Sequence, residues 1–481
     1  MPGTFLLGEQ KVRPGVYYRR ERAGYTVAGA VNGILACIFQ SNWGPLNKEF
    51  DVDQSMINNL EDYYGDGATI LREGLIGGAK TIRAIRVGND TATCSKIILK
   101  STGDTPTDLV EISAKYPGNR TFTVTVRDNL LDSNTREVII YDGDTIFTKV
   151  SFAKKKLDIP QEVPNLINAF QNNRHFTAKR VTTVAADALK PLADITQAAM
   201  TAGTNPTATI EHYTKGTDIL ERFTWSAVVF DNDSADFKRV LTDYVKQSYE
   251  TGKLGMAVIA GKSSEDLEAR MDYAASINDE KVVYVLNGWI DNLGVTYEGW
   301  RAAARIGGMI AGKESNASVT HDVISDALEL IEPLSSGEVI RAEQKGCLVL
   351  TLNADDQVQI DSGINTLVTA GTDLDDGWKK IRRTKCRFEL MSRINKTLDK
   401  LSGFINNDEN GRATSVAAGQ KVINNMIGER KLKFGTYIEE DPENKPEGDS
   451  IPFRIHTLDF DSGEKFYLTY IFRYGQSFSE N

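Results

Sequence analysis

The chain has 481 residues, 41% of them hydrophobic and 25% charged, which is enough for two to four domains with a sizeable core. A net charge of -10 excludes a nucleic-acid coat, which needs a basic surface to release counterions. No apolar stretch reaches the roughly 18 residues that span a bilayer, no signal peptide opens the chain, and Cys37, Cys94, Cys347 and Cys386 are too scattered for a CxxC site.

The first two dozen residues read as an extended arm. Pro14-Gly15 breaks the chain, and Val16-Tyr17-Tyr18-Arg19-Arg20 is a β-prone run with no partner nearby. The arm is basic, with Lys11, Arg13, Arg19, Arg20 and Arg22 against Glu9 and Glu21. From Tyr25 the pattern is α/β: a buried strand at 36–40, a turn at Trp43-Gly44-Pro45, helices at 53–64 and 68–74, and a strand at 80–87. Near Thr91 the period becomes two. Thr121-Phe122-Thr123-Val124-Thr125-Val126 alternates strictly, and 137–141 and 145–152 continue the pattern around Asp142-Gly143-Asp144, predicting a small antiparallel β domain.

After a Thr/Ala-rich stretch, strands at 226–230, 255–260 and 281–286 are each followed by a helix, at 234–249, 263–277 and 297–312. Strands apolar on both faces that alternate with helices predict a parallel sheet covered on both sides. A hairpin follows at 348–352 and 358–360. A helix then carries Phe388, Met391, Ile394, Leu398, Leu401 and Ile405, a second helix lies at 420–427, and strands are expected at 453–460 and 465–473. The acidic stretch 439–449 reads as an exposed loop.

No phosphate loop, HExxH, GxSxG or dinucleotide fingerprint is present, and His175, His212, His321 and His456 are dispersed. The enzyme-like place is the carboxyl edge of the three parallel strands, where Asp231-Asn232-Asp233, Gly261-Lys262-Ser263-Ser264 and Asn287-Gly288-Trp289 fall. Short polar loops that cap the next helix have the same composition. The cations Lys379, Lys380, Arg382, Arg383, Lys385 and Arg387 stand close enough to repel one another, and are read either as a strip facing an acidic partner or as an ordinary solvated element.

Several motifs, in order, resemble the contractile-tail sheath proteins of phages and phage-tail-like particles, in particular the group found in Gram-positive bacteria. They are Arg13-Pro14-Gly15-Val16-Tyr17, the Trp43-Gly44-Pro45 turn, Tyr63-Tyr64-Gly65, Gly77-Gly78-Ala79-Lys80 before a strand ending Arg86-Val87, and Ala304-Arg305-Ile306-Gly307-Gly308-Met309-Ile310-Ala311-Gly312. Gly363-Ile364-Asn365-Thr366-Leu367 and Asp461-Ser462-Gly463-Glu464-Lys465-Phe466-Tyr467 complete the set. The resemblance implies a structural protein and not an enzyme, with no cofactor and no metal. It implies stacked hexameric rings around a tail tube, contracting to drive the tube through a cell envelope. The implied partners are other copies of the chain, the tail tube protein, and baseplate and tail terminator proteins, with no nucleic acid and no membrane insertion. The location implied is a virion or tail-like particle assembled in a bacterial cytoplasm.

The expected fold class is therefore α/β: a parallel-sheet core domain with an inserted antiparallel β domain, an α+β C-terminal domain, and extended arms. The expected divisions are an arm at 1–24, the first part of the core at 25–90, an inserted β-sandwich-like domain at 91–176, a non-catalytic subtilisin-like part at 177–345, an inner domain at 346–463 and a second arm at 464–481. Val16, Tyr17, Tyr18, Arg19 and Arg20 at one end, and Phe466, Tyr467, Leu468, Tyr470, Ile471 and Phe472 at the other, are the expected inter-subunit strands. Burying six large apolar side chains gains at most about 9–18 kcal/mol, and ordering eight residues costs about 8–16 kcal/mol. Such a strand therefore needs a host sheet. The family arrangement makes Lys379, Lys380, Arg382, Arg383, Lys385 and Arg387 candidates to face the tube. The other readings are an α/β enzyme using the strand-end loops and a different self-assembling shell or filament protein.

Overall fold

Seven strands form the central sheet of the computed structural model, in the order Cys347–Leu348, Val282–Val285, Met256–Ala260, Ala227–Phe230, Ile34–Phe39, Thr81–Arg86, Glu49–Asp53. The structure describes residues 33–156, 159–183, 189–371 and 374–472, with the backbone of 3–4 and 17–18. All neighbours in the sheet are parallel except the last pair. In Ala227–Phe230, Met256–Ala260 and Val282–Val285 every side chain is buried, as a sheet covered on both faces requires. The helices Ala68–Gly77 and Trp300–Gly312 cover one face, and Ile210–Leu220, Ala235–Glu250 and Leu267–Ile277 the other.

On the first face two helices meet backbone to backbone. A Cβ on Gly308 would lie 2.2 Å from the Gly74 carbonyl oxygen, and one on Gly312 2.1 Å from that of Gly78. Arg305 closes the contact, reaching Glu73 at 2.7 Å and Asp326 at 2.6 Å. These pairings assign a packing role to the glycine-rich motifs.

The inserted unit is two antiparallel sheets. One orders Thr145–Ala153, Thr135–Asp142, Thr123–Asp128 and Ile195–Ala199; the other orders Phe176–Arg180, Asp108–Ala114 and Lys96–Lys100. Val124, Val126, Val138, Ile140, Leu109 and Ile112 meet in its core with the Glu162–Phe170 helix. Ile195–Ala199 pairs with Thr123–Asp128, and Lys96 bridges Thr201, so the unit runs past the expected limit at 176. The Thr/Ala-rich stretch hides this strand because only Ile195 and Ala198 are even half-buried, and a register shift between them breaks the two-residue alternation.

The C-terminal part holds the helices Ile381–Asp399 and Glu409–Gly428 and the ribbon Tyr437–Glu440/Phe453–His456, around a core of Cys386, Leu390, Ile394, Ile423, Met426, Ile438 and Ile455. The first helix stops at Asp399 and not near 405. Gly403 has φ +80°, and Phe404 is exposed. Glu439 and Glu440 belong to a strand, so the acidic loop begins only at Asp441. Residues 53–64 form a 3-10 turn, Gln54–Asn59, before the short helix Leu60–Tyr64.

Candidate assembly surfaces

The carboxyl edge of the parallel strands is closed by its own side chains. Asp231 is half-buried; its Oδ2 accepts from the Gln40 backbone N–H at 2.8 Å, and its Oδ1 accepts from the Tyr213 hydroxyl. Burial pushes the Asp231 carboxyl up to about 6. Asp233 pairs with Lys262 at 2.8 Å, and the Ser263 hydroxyl donates to Glu298 at 2.8 Å. Asn287 is spent on Leu350, donating to its carbonyl at 3.0 Å and accepting from its N–H at 2.9 Å. Gly288 and Trp289 are not a loop but the start of the strand Gly288–Asp291. The cavity here, lined by Phe230, Asp233, Phe237 and Trp300, measures about 10 Å³, room for one water. Substrates need clefts of about 300 Å³ or more. The expected strand-end site is thus a set of caps and ion pairs.

The histidines are dispersed in space as well. His212 caps the Ile210–Leu220 helix, accepting from the Thr209 N–H at 3.1 Å. His175 packs beside Trp43, Tyr116 and Phe147, and burial pushes it down to about 4. His456 lies 2.9 Å from Glu439. Among the described residues no group of three His, Cys, Asp or Glu side chains is placed to hold a metal, and no helix is long and apolar enough to cross a membrane.

The cationic segment is not a strip facing outward. Arg383 donates to Asp459 at 2.7 and 2.9 Å, and Arg387 joins the same carboxylate at 3.0 Å. Lys380 reaches Asp461 at 3.1 Å and Glu464 at 2.8 Å, and Arg382 donates to the Phe460 carbonyl at 2.5 Å. Lys385 is buried against the end of the Trp300–Gly312 helix, donating to the Ile310 carbonyl and, at 2.6 Å, to that of Lys313. Burial pushes its amine down to about 7. Lys379 pairs with Asp376 at 2.9 Å. The charges of Lys379, Lys380, Arg382, Arg383, Lys385 and Arg387, expected to face a tube, are met within their own chain. Their mutual repulsion is relieved inside the chain, by residues 459–464 and by helix-end carbonyls.

The last described residues form a continuous exposed apolar segment. Phe466, Tyr467, Leu468, Tyr470, Ile471 and Phe472 are 66–90% exposed, in a segment without strand pairing among the described residues. Tyr470 and Phe472 stack at 6.2 Å on one side, the two-residue spacing of extended chain. Val16, Arg19 and Arg20 lie outside the described residues. The backbones of Tyr17 and Tyr18 pair in parallel with Gly3 and Thr4.

The Tyr437–Glu440/Phe453–His456 ribbon has no third strand among the described residues. Ile438 and Ile455 face its core, while Tyr437 stacks on His456 outside at 4.4 Å, and Phe434 beside it is exposed. Sequence reading passed over this ribbon as a host, and over Asp459 and Glu464 as partners of the cations. The ribbon pairs residues across an acidic loop, and the ion pairs span 72 to 84 positions, which one sequence does not pair.

Comparison with known proteins bears on the same fold. The family model for the phage tail sheath protein central domain matches residues 207–366. The uncharacterized protein YqbK of Bacillus subtilis (strain 168) is 21% identical over 379 residues, 76% of this chain and 75% of its own length. The sheath tail protein of Desulfitobacterium hafniense aligns with a TM-score of 0.67 at 17% identity, covering 89% of this chain and 97% of its own. That of Listeria innocua gives 0.62 at 19% identity, covering 90% and 96%. The anti-feeding prophage helical sheath in its contracted state gives 0.53 at 8% identity, covering 96% and 99%. At these identities the likeness is one of fold, and it extends over nearly the whole chain.

Proposed function

We infer that this chain, whose residues 207–366 carry the phage tail sheath protein central domain, is the structural subunit of a contractile sheath. The observation that carries the reading is the fold shared with a sheath tail protein over 89% of the chain. Copies stack as hexameric rings around a tail tube, bounded by baseplate and terminator proteins, in a virion or tail-like particle assembled in a bacterial cytoplasm. Contraction drives the tube through an envelope. The chain performs no catalysis, a reading supported by a strand-end cavity of about 10 Å³.

Two features support assembly through added strands. The segment from Phe466 to Phe472 displays large apolar side chains that none of the other described residues covers. The Tyr437–Glu440/Phe453–His456 ribbon is the kind of two-stranded sheet that is marginal alone and gains from a third strand. We assign Val16, Tyr17, Tyr18, Arg19 and Arg20 to the same linking role at the other end. One linking strand contributes little by itself, but many in a ring act together. Negative-stain microscopy of the purified protein tests the reading. Sleeves, rings or tubes are expected; discrete monomers at concentrations where sheaths assemble would overturn it.

A further inference from the structure

Residues 459–464 cross the seam between the Ile381–Asp399 helix and the loop that follows the Trp300–Gly312 helix. At one end Asp459 is buried and gives its two oxygens to Arg383 and Arg387 at 2.7–3.0 Å. Its backbone bridges Leu432, and the neighbouring Leu458 carbonyl accepts from the Lys433 N–H at 2.7 Å. In the middle the Phe460 carbonyl is held by Arg382 at 2.5 Å and Asp461 by Lys380 at 3.1 Å. At the far end Glu464 Oε2 accepts from Lys380 at 2.8 Å, while Oε1 accepts from the hydroxyls of Ser462 at 2.6 Å and of Ser318 and Thr320 at 3.1 Å. Thr320 in turn accepts from the Gly363 N–H at 2.9 Å, so Glu464 is tied into the central part as well as to the helix. Two residues later the side chains are 66–90% exposed.

A chain segment held this closely and then released has a defined point of departure. We propose that residues 459–464 are a strap fastening the root of the C-terminal arm, with Lys380 and Glu464 as its positioning residues, so that the arm's reach toward a second copy of this chain begins at Lys465. The strap's geometry stands on its own; its consequence for reach rests on the sheath reading. From 465 to 472 an extended chain spans at most roughly 26–29 Å. Opening the strap back to 458 adds about 20 Å more. A closed strap gives every link in a ring the same short length, and an open one gives each link a range of lengths.

Chymotrypsin digestion of the unassembled full chain, read by mass spectrometry, tests the strap. Cleavage after Phe466 and Tyr467 is expected to be fast and cleavage after Phe460 slow, because the held segment is cut only from its open form. Lys380→Met and Glu464→Gln should each speed cleavage after Phe460 about tenfold or more, since a charge-assisted bond is lost. High salt should do part of the same to the unaltered chain, and Lys380→Arg, which keeps the charge, should retain the slow rate. Circular dichroism on the same samples checks the fold. Sleeves of Lys380→Met should show irregular ring spacing where those of the unaltered chain are regular. Equal cutting after Phe460 and Phe466 in the unaltered chain overturns the strap. Regular spacing despite an opened strap overturns its positioning role. Absence of sleeves from the unaltered chain counts instead against the sheath reading, since digestion is read without assembly.

Discussion

Asp231 occupies the position of a catalytic carboxylate but has the chemistry of a half-buried acid with two fixed donors. Its carboxyl titrates at about 6 in the folded chain against an ordinary 3.8. Between those values the folded chain keeps a proton that the unfolded chain has released. Stability therefore falls as pH rises through that window, and the deficit is constant above it. Asp231→Asn removes the titration. Urea unfolding of the variant should show no such fall, and sleeves should form and contract as before. Lost contraction with an intact fold would restore the enzyme-like reading of this edge. Lys385 has the opposite sign. Its amine is held at about 7 against 10.5, so the unfolded chain binds the extra proton between those values. Its contribution makes stability rise with pH across that window. The rise should be absent in Lys385→Met; an unchanged slope would place its origin elsewhere.

At the scale of elements, the close helix contact makes a sharp comparison. Gly308→Val puts a branched side chain where even a Cβ would lie 2.2 Å from the Gly74 carbonyl oxygen, and the helices must separate. A loss of about 1–3 kcal/mol or more is expected in chemical denaturation. Gly337, in the Ser336–Gln344 helix, has nothing within 4 Å of such a Cβ, so Gly337→Ala should gain about 0.5–1 kcal/mol. Equal effects at the two sites would refute the packing account. The elements legible in the sequence are those whose pattern is local. Ala227–Phe230, Met256–Ala260 and Val282–Val285 are buried on both faces, and their helices follow at once. Glu49–Asp53 was missed because an edge strand exposes Asp51 and Asp53 and buries only Val52. The strap was missed for a different reason: Asp459, the carboxylate shared by Arg383 and Arg387, is more than 70 positions away. A run of like charge records that something opposes it, without recording whether the opponent is another molecule or the chain's own end.

For the whole molecule, the distribution of burial separates a body from its links. Trp43, fully buried, leaves the central sheet to pack with Phe122 and Phe176 of the inserted unit, so those two parts share a core. The Ile381–Asp399 helix likewise divides its side chains between two cores, with Phe388 and Met391 in one and Leu390 and Ile394 in the other. Nothing comparable holds the last described residues, whose exposure is 66–90%. This asymmetry yields a test of the sheath reading that separates folding from assembly. A chain ending at Glu464 keeps the strap, both helix layers and the inserted unit, and the described residues it loses were already in water. Its unfolding midpoint should match that of the full chain, because side chains equally solvated in both states contribute nothing to the difference. On the linking-strand reading assembly should fail, because a neighbouring sheet would lose both main-chain hydrogen bonds and apolar cover. A proline at Tyr470 in the full chain should act in the same direction by deleting a ladder donor and resisting a central strand position. Thermal denaturation and microscopy on the same samples read the two properties separately. A lowered midpoint would mean that the segment packs on its own chain in solution. Sleeves of normal length from the shortened chain would mean that subunits are joined through other surfaces, and the linking-strand mechanism would fall while the shared fold stood.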